Sequence, residues 1–421
     1  FQKIRRLHSQ RIPKYALEKI NLHLKGHTKM QNPVLSRKCI LTPPEGISWA
    51  SEMVLNPAII IDPKTNRTHL LIRTTGPFPE KQTEGKPLPY PIFLAYAYSD
   101  DGENFEFDFD TPALAPMLNT ELCGLMTLDM RGEKVPAYMN GCIEDPRLFW
   151  VEDSLYLTVA CRMFPPGPFW EHDDPQQCMP EWAKSDENPF NTQKNPTVTL
   201  LYRVDLDFLS KKDYKNAFTY VTNLTSPLYG EDRDVFLFPK KMKIDGEMQY
   251  VMIHRPYCPQ NYSKSNPEKP SIMISASKDF YSFAENASKR KIIYSPTEDW
   301  QEEKVGGSTP PIDMGNGEWL LNYHGKKNDK IGYGQSFMIL KEQDNDFPEI
   351  TYLCPEKWIE GEADFEMPNK AAIPAIFFTD SVKCGDKIIV AYGACDEKAC
   401  IIELDYNVVV SEVRKYPYKA K

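Results

Sequence analysis

The chain has 421 residues, 41% hydrophobic and 26% charged, the make-up of a folded globular protein long enough for one large all-β domain or two ordinary ones. Its formal net charge of −9 argues against nucleic acid as a partner, and no run of about 18 apolar residues marks a membrane span. The aromatic content of 12%, with 22 Tyr and 7 Trp, suits either a carbohydrate site or an aromatic-rich β core.

Residues 1–50 read as a basic, irregular N-terminal extension packing on a catalytic domain that spans 51–421. From there one module recurs: an apolar strand, a polar turn, a second apolar strand and then further strand. The first copy runs Ala58–Ile61, the turn at 62–66, Leu70–Arg73 and Ile92–Tyr98. The second is Arg147–Val151, the turn at 152–154, Leu155–Cys161 and Thr197–Val204. The third is Val235–Phe238, Asp245-Gly246-Glu247, Tyr250–His254 and Ser271–Ser277. The fourth is Pro311–Met314, Gly315-Asn316-Gly317, Trp319–His324 and Gln335–Leu340. The fifth is Ala375–Thr379, Cys384-Gly385-Asp386, Ile388–Tyr392 and Ala399–Leu404. β-Branched and aromatic runs broken by Asp-Gly and Asn-Gly turns are hairpin signals, and no long stretch carries a helical period. Five such modules predict an all-β, five-bladed β-propeller. The Pro-rich, acidic stretch 164–195, with Trp170 and Trp182, falls inside the second module and reads as a loop on one propeller face.

Ten Cys are scattered, none in a CxxC pair, so they read as buried thiols with room for one or two disulfides. Four Asn-x-Ser/Thr sequons, at Asn66, Asn223, Asn261 and Asn286, are what chance supplies. The chain starts at Phe1 rather than Met, from which a periplasmic or secreted location is expected ahead of a cytoplasmic one. No GxGxxG opens a helix and no Walker loop is present, so no nucleotide cofactor is expected, and no ligand spacing calls for a metal.

In a propeller the first strand of each blade lines the central channel. The polar residues at those strands are Asn56, the run Glu144-Asp145-Pro146-Arg147, Asp232-Arg233-Asp234 and Ser308-Thr309. Second-strand ends add Arg73, His254-Arg255, Tyr323-His324 and Asp396. Acids and bases gathered on one surface mark a site where protons are moved. Glycoside cleavage needs a proton for the leaving oxygen and a nucleophile at the anomeric carbon, and an acid beside other carboxylates can hold its proton near neutral pH. Asp145, next to Glu144, fits that role; an Asp145–Arg147 ion pair anchoring the strand is the structural alternative.

The chain resembles glycoside hydrolase family 130, inverting mannoside phosphorylases and mannosidases, from about Asn56 to Leu404. The resemblance rests on Asn56-Pro57-Ala58, Arg73, Gly141–Arg147 (GCIEDPR), Asp234–Pro239 (DVFLFP), His254-Arg255-Pro256, Gly306–Ile312 (GGSTPPI), Tyr323-His324-Gly325 and Tyr392–Asp396 (YGACD). It implies a five-bladed propeller, Asp145 as general acid, and Asn56, Arg147, Asp234, Tyr323, His324 and Asp396 around the sugar. In phosphorylases basic groups hold inorganic phosphate, for which Arg73, Arg233, His254 and Lys304 stand ready, with Tyr323 beside them. In hydrolases a carboxylate activates water, and Glu231 or Glu303 would serve. The 164–195 insertion, the long 105–141 segment, Ser308-Thr309 and Cys395 depart from the family pattern. An inverting hydrolase acting on β-mannosides or related glycans is the first expectation, a phosphorylase the second, and a non-catalytic glycan-binding propeller the third. A propeller glycosidase of another family would show three carboxylates around one pocket. The partner is an oligosaccharide or glycan; the sequence leaves the oligomeric state open.

Overall fold

The structure is a computed structural model that describes residues 30–76, 92–115, 126–128, 134–136, 143–162, 197–226, 231–257, 269–287, 289–328, 332–367 and 375–419. The 164–195 segment, Gly141-Cys142, Asn261 and residues 1–29 of the expected N-terminal extension lie outside the described residues.

The chain is built from β1 (Val34–Leu41), β2 (Met53–Ile61), β3 (Thr68–Thr75), β4 (Ile92–Ser99), β5 (Glu106–Asp108), the hairpin β6 (Met126–Leu128) and β7 (Lys134–Pro136), β8 (Ile143–Val151), β9 (Ser154–Arg162), β10 (Thr197–Val204) and β11 (Phe218–Asn223). It continues with β12 (Glu231–Leu237), β13 (Met242–Ile244), β14 (Glu247–Tyr257), β15 (Ile272–Ser277), β16 (Lys289–Tyr294), β17 (Lys304–Gly307), β18 (Ile312–Gly315), β19 (Glu318–Lys326), β20 (Tyr333–Gln343), β21 (Asp346–Leu353), β22 (Ile376–Cys384), β23 (Lys387–Ala394) and β24 (Lys398–Asp405). Apart from the β6–β7 hairpin, these form five antiparallel sheets: β2-β3-β4-β5, β8-β9-β10-β11, β12-β14-β15-β16 with β13 on β14, β17-β19-β20-β21 with β18 on β19, and β22-β23-β24-β1. They are the five blades of a propeller, as the module count predicts.

Two details differ from the sequence pattern. The 1–50 stretch is not all extension: Val34–Leu41 pairs with β24 and is the outer strand of the fifth blade, so the N-terminal side of the chain clasps the ring shut. The fourth blade begins at Lys304 rather than Pro311, because Ser308–Pro311 breaks its inner strand into β17 and β18.

The innermost strands read as continuous apolar runs because neighbouring blades cover both faces. Ala58 and Ile60 pack with Leu148 and Leu157 between blades one and two, while Val54, Ile59 and Ile72 meet Ala391 and Ala399 of blade five. Phe236, Ile253, Trp319 and Leu321 join blades three and four, and Phe337, Ile339, Phe378 and Tyr392 join four and five. Buried aliphatic and aromatic side chains of this size each contribute about 1.5–3 kcal/mol.

The channel mouth is shaped by a repeated local device. The ladder slips at Leu55/Ala58 in blade one, Glu144/Arg147 in blade two and Arg233/Phe236 in blade three. Each bulge holds one residue in the left-handed region: Asn56 (φ 46°), Asp145 (φ 50°) and Asp234 (φ 56°). Asn and Asp tolerate this backbone far better than other non-Gly residues, and a bulge re-aims a side chain. The polar motifs therefore lie inside the inner strands, not at their starts.

Candidate active site

A cavity of about 370 Å³ opens at this end of the channel, lined by Asn56, Arg73, Asp145, Glu231, Arg233, Asp234, Arg255, Lys304, Tyr333 and Asp396, with Met53, Leu55 and Phe377 as its apolar part. All five blades contribute. Of the residues expected from sequence, Asn56, Arg73, Asp145, Glu231, Arg233, Asp234, Lys304 and Asp396 line it.

Asp145 sits between blades one and two. Its Oδ1 accepts from Asn56 Nδ2 at 2.8 Å and from Arg73 Nη1 at 2.9 Å. Its Oδ2 accepts no hydrogen bond from the described residues. Asp396, also at positive φ, lies close enough to feel the Asp145 charge. Burial, and then that charge, push the Asp396 carboxyl above the usual carboxylate range, against the pull of Arg73.

Asn56 is held by its neighbour Gly393: a Cβ there would lie 2.0 Å from Asn56 Oδ1 and 3.0 Å from its backbone nitrogen. Gly393→Ala must push Asn56 off Asp145. Since a 1 Å misplacement costs about 100-fold, a partial shift should lower kcat/KM by roughly tenfold; steady-state kinetics on folded variant check this.

The opposite wall is cationic. Arg233 donates from Nε to Glu231 (2.5 Å) and from Nη1 to Glu144 (3.2 Å). Arg255 donates from Nε to Asp234 Oδ2 (2.5 Å). Burial disfavours the Asp234 charge, but the Arg255 and Arg147 guanidinium groups outweigh it and hold this carboxyl well below its ordinary range. Lys304 is the loosely paired cation: among the described residues its nearest carboxylate oxygen, on Glu303, is 3.9 Å away, and its Nζ lies 5.2 Å from the Tyr333 ring centre. Burial, then Arg255 and Lys326, lower its pKa to about 8.

Arg147 does not pair with the Asp145 carboxylate. It is buried behind the cavity, donating to the Asp145 backbone carbonyl, the Ser308 carbonyl and Asp234 Oδ1 (3.2, 3.0 and 3.2 Å), and so ties blades two, three and four together. His324 is also behind the surface: Nδ1 contacts Ser308 Oγ at 3.0 Å, and Nε2 lies 3.4 Å from Asp234. Burial keeps it neutral, with a pKa of about 3.

Three expected residues stand apart from the cavity. His254 is buried between Asp232 (Nδ1, 2.7 Å) and Ser275 (Nε2, 2.7 Å). Side chains alternate along a strand, so His254 turns into blade three and its neighbour Arg255 takes the cavity face. Tyr323 is related to His324 in the same way: it is fully buried against Tyr294 and Trp300, and its hydroxyl donates to the Cys354 carbonyl. Glu303 is half exposed and pairs with Lys326 at 3.3 Å. Tyr333 and Phe377 were not anticipated. Tyr333, flanked by Gly332 and Gly334, begins β20 without a chemical motif, and Phe377 looks like any core position.

A family model for glycoside hydrolase family 130, described as beta-1,4-mannooligosaccharide phosphorylase, matches residues 169–415, more than half of the chain. The chain belongs to glycoside hydrolase family 130. It is an enzyme acting on glycosides. Asn56, Arg73 and Asp145 precede the matched span. A beta-1,2-mannobiose phosphorylase of Thermoanaerobacter sp. (strain X514) is 27% identical over 86% of this chain and 93% of its own. A 1,2-beta-oligomannan phosphorylase of the same organism is 26% identical over 86% and 93%. Among solved structures, the beta-1,2-mannobiose phosphorylase of Listeria innocua in complex with beta-1,2-mannobiose aligns with a TM-score of 0.58 at 17% identity, covering 89% of this chain and 97% of that one. At that identity the likeness carries the propeller fold alone.

Proposed function

We propose that this member of family 130 is an inverting β-mannoside phosphorylase, cleaving the glycosidic bond with inorganic phosphate. One observation carries the choice of phosphate over water: Arg233, Arg255 and Lys304 share one wall of the cavity, and among the described residues Lys304 is paired only loosely, with Glu303 at 3.9 Å. A buried lysine among other cations is stabilised by an anion, and the guanidinium groups keep N–H donors beyond those held by Glu231, Glu144 and Asp234. The two phosphorylase relatives support the same reading.

Hydrolysis was the first expectation from sequence, with Glu231 or Glu303 activating water. Glu231 is a poor base here: burial raises its pKa, but Arg233 and Arg255 more than reverse this and hold it below its ordinary range. Glu303 is outside the cavity lining.

In the proposed reaction a phosphate oxygen attacks the anomeric carbon from the face opposite the leaving group. The C1–O bond breaks and Asp145 Oδ2 delivers a proton to the departing oxygen. The products are an α-mannosyl phosphate and the shortened glycan. Asp396, its carboxyl held above the ordinary range by burial and by the Asp145 charge, stands beside the acid. Phosphate, itself a proton carrier, can restore the proton to Asp145. Met53, Leu55, Tyr333 and Phe377 offer the apolar surface on which a sugar ring packs.

Lys304 makes the phosphate step pH-dependent. With a pKa of about 8, below the ordinary lysine value, it loses its charge as pH rises through that point, and phosphate needs the charged form. The KM for phosphate should therefore climb above pH 8, and Lys304→Arg, which stays charged, should flatten the climb. The function itself is tested with β-1,2- and β-1,4-linked mannobiose and longer mannooligosaccharides: cleavage should be saturable in phosphate and negligible without it. Equal rates without phosphate would restore the hydrolase.

A further inference from the structure

β1 is the one strand of the fifth blade that comes from the N-terminal side of the chain, and its pairing with β24 closes the propeller ring. Within that pair Cys39 lies directly opposite Cys400. Directly paired residues of antiparallel strands project to the same face, with Cβ atoms about 4.5–5.5 Å apart. The Cys39 thiol donates to the Leu41 carbonyl at 3.7 Å, and it lies near enough to Cys400 for each sulfur to shift the other's ionisation. Both cysteines are free in the structure; Cys39 is half-buried and Cys400 fully buried. The register slips between Cys39 and Leu41, a bulge that gives the β1 backbone play at this point.

We propose that Cys39 and Cys400 are a cross-strand disulfide site, and that oxidation converts the clasp of the propeller from a hydrogen-bonded strand pair into a covalent one. A disulfide needs its Cβ atoms about 3.5–4.5 Å apart, so the strands must close by only about an ångström. The β1 strand is already anchored two residues away, where Arg37 holds both oxygens of the buried Glu366 at 2.8 Å.

The chemistry is thiol–disulfide exchange with a small disulfide such as oxidised glutathione. The Cys39 thiolate attacks one sulfur, a mixed disulfide forms, and one small thiolate leaves. Cys400 then gives up its proton to solvent and attacks Cys39 Sγ, releasing the second small thiol. Two protein thiols and one small disulfide thus become one protein disulfide and two small thiols. Cys39 is suited to be the attacking sulfur: the nearby Cys400 thiol, with help from Lys398, brings its pKa down to about 7 against burial. Cys400, by its closeness to Cys39 and by burial, is raised and stays a thiol until the second step.

The test uses the full chain, reduced and then exposed to oxidised glutathione, followed by alkylation, proteolysis without reductant and mass spectrometry. A peptide pair joined at Cys39 and Cys400 is expected, together with a rise in Tm of about 5 °C or more that reductant reverses, since the bridge closes a loop of nearly the whole chain. Cys39→Ser and, independently, Cys400→Ala should each abolish both effects. Alkylated Cys39 and Cys400 after oxidation, a stable glutathione adduct on Cys39 without the bridge, or a bridge to another cysteine would each overturn the proposal.

Discussion

Asp145→Asn should lower kcat/KM for an unactivated β-mannoside by roughly 10²–10⁴-fold, the range over which a positioned general acid contributes. The fold should survive, because the Asn56 and Arg73 contacts fall on a side chain of unchanged shape, and the backbone φ of 50° suits Asn as well as Asp. The diagnostic is the leaving group. A dinitrophenyl mannoside departs without a proton, so the variant should recover most of its rate on that substrate. Loss of equal size on both substrates would show that Asp145 positions the sugar instead of protonating it.

Lys304→Met should raise the KM for phosphate by roughly 10- to 100-fold, the equivalent of one lost charge-assisted hydrogen bond of about 1.5–3 kcal/mol. Among the cavity cations Lys304 is the one to change, because among the described residues its removal breaks only the loose 3.9 Å pair with Glu303. Arg255, by contrast, would leave Asp234 short of a partner, and Arg233 would release Glu231 and Glu144, so folding and binding effects would mix. The KM for the mannoside should move far less than that for phosphate. A large change in both, measured by varying each substrate at saturation of the other, would mean that Lys304 organises the whole cavity.

The fold was legible because a propeller repeats itself: five hairpin modules with Asp-Gly and Asn-Gly turns leave few other ways to bury their strands. The strand missing from that pattern, Val34–Leu41, lies before the repeats begin and acquires its partner only when the ring closes. At the site, Asn56, Asp145 and Asp234 could be picked out because unusual backbone selects Asn and Asp and leaves a visible motif before the apolar run. Which member of an adjacent pair faces the cavity was not visible in the same way. His254-Arg255 and Tyr323-His324 are each polar or aromatic at both positions, so the period of two carries no apolar–polar contrast to set the phase. Tyr333 escaped for another reason: it meets Lys304 and Phe377 only through the packing of neighbouring strands and blades.

The distinction between phosphate and water as nucleophile is best made by following one oxygen atom. Cleavage of a β-mannobiose in ¹⁸O-labelled water with unlabelled phosphate should yield α-mannosyl phosphate carrying no label, with no labelled free mannose formed in step with it. Mannose labelled at C1 and produced without any sugar phosphate would contradict the phosphate-binding role given to Arg233, Arg255 and Lys304, and would make the enzyme a hydrolase.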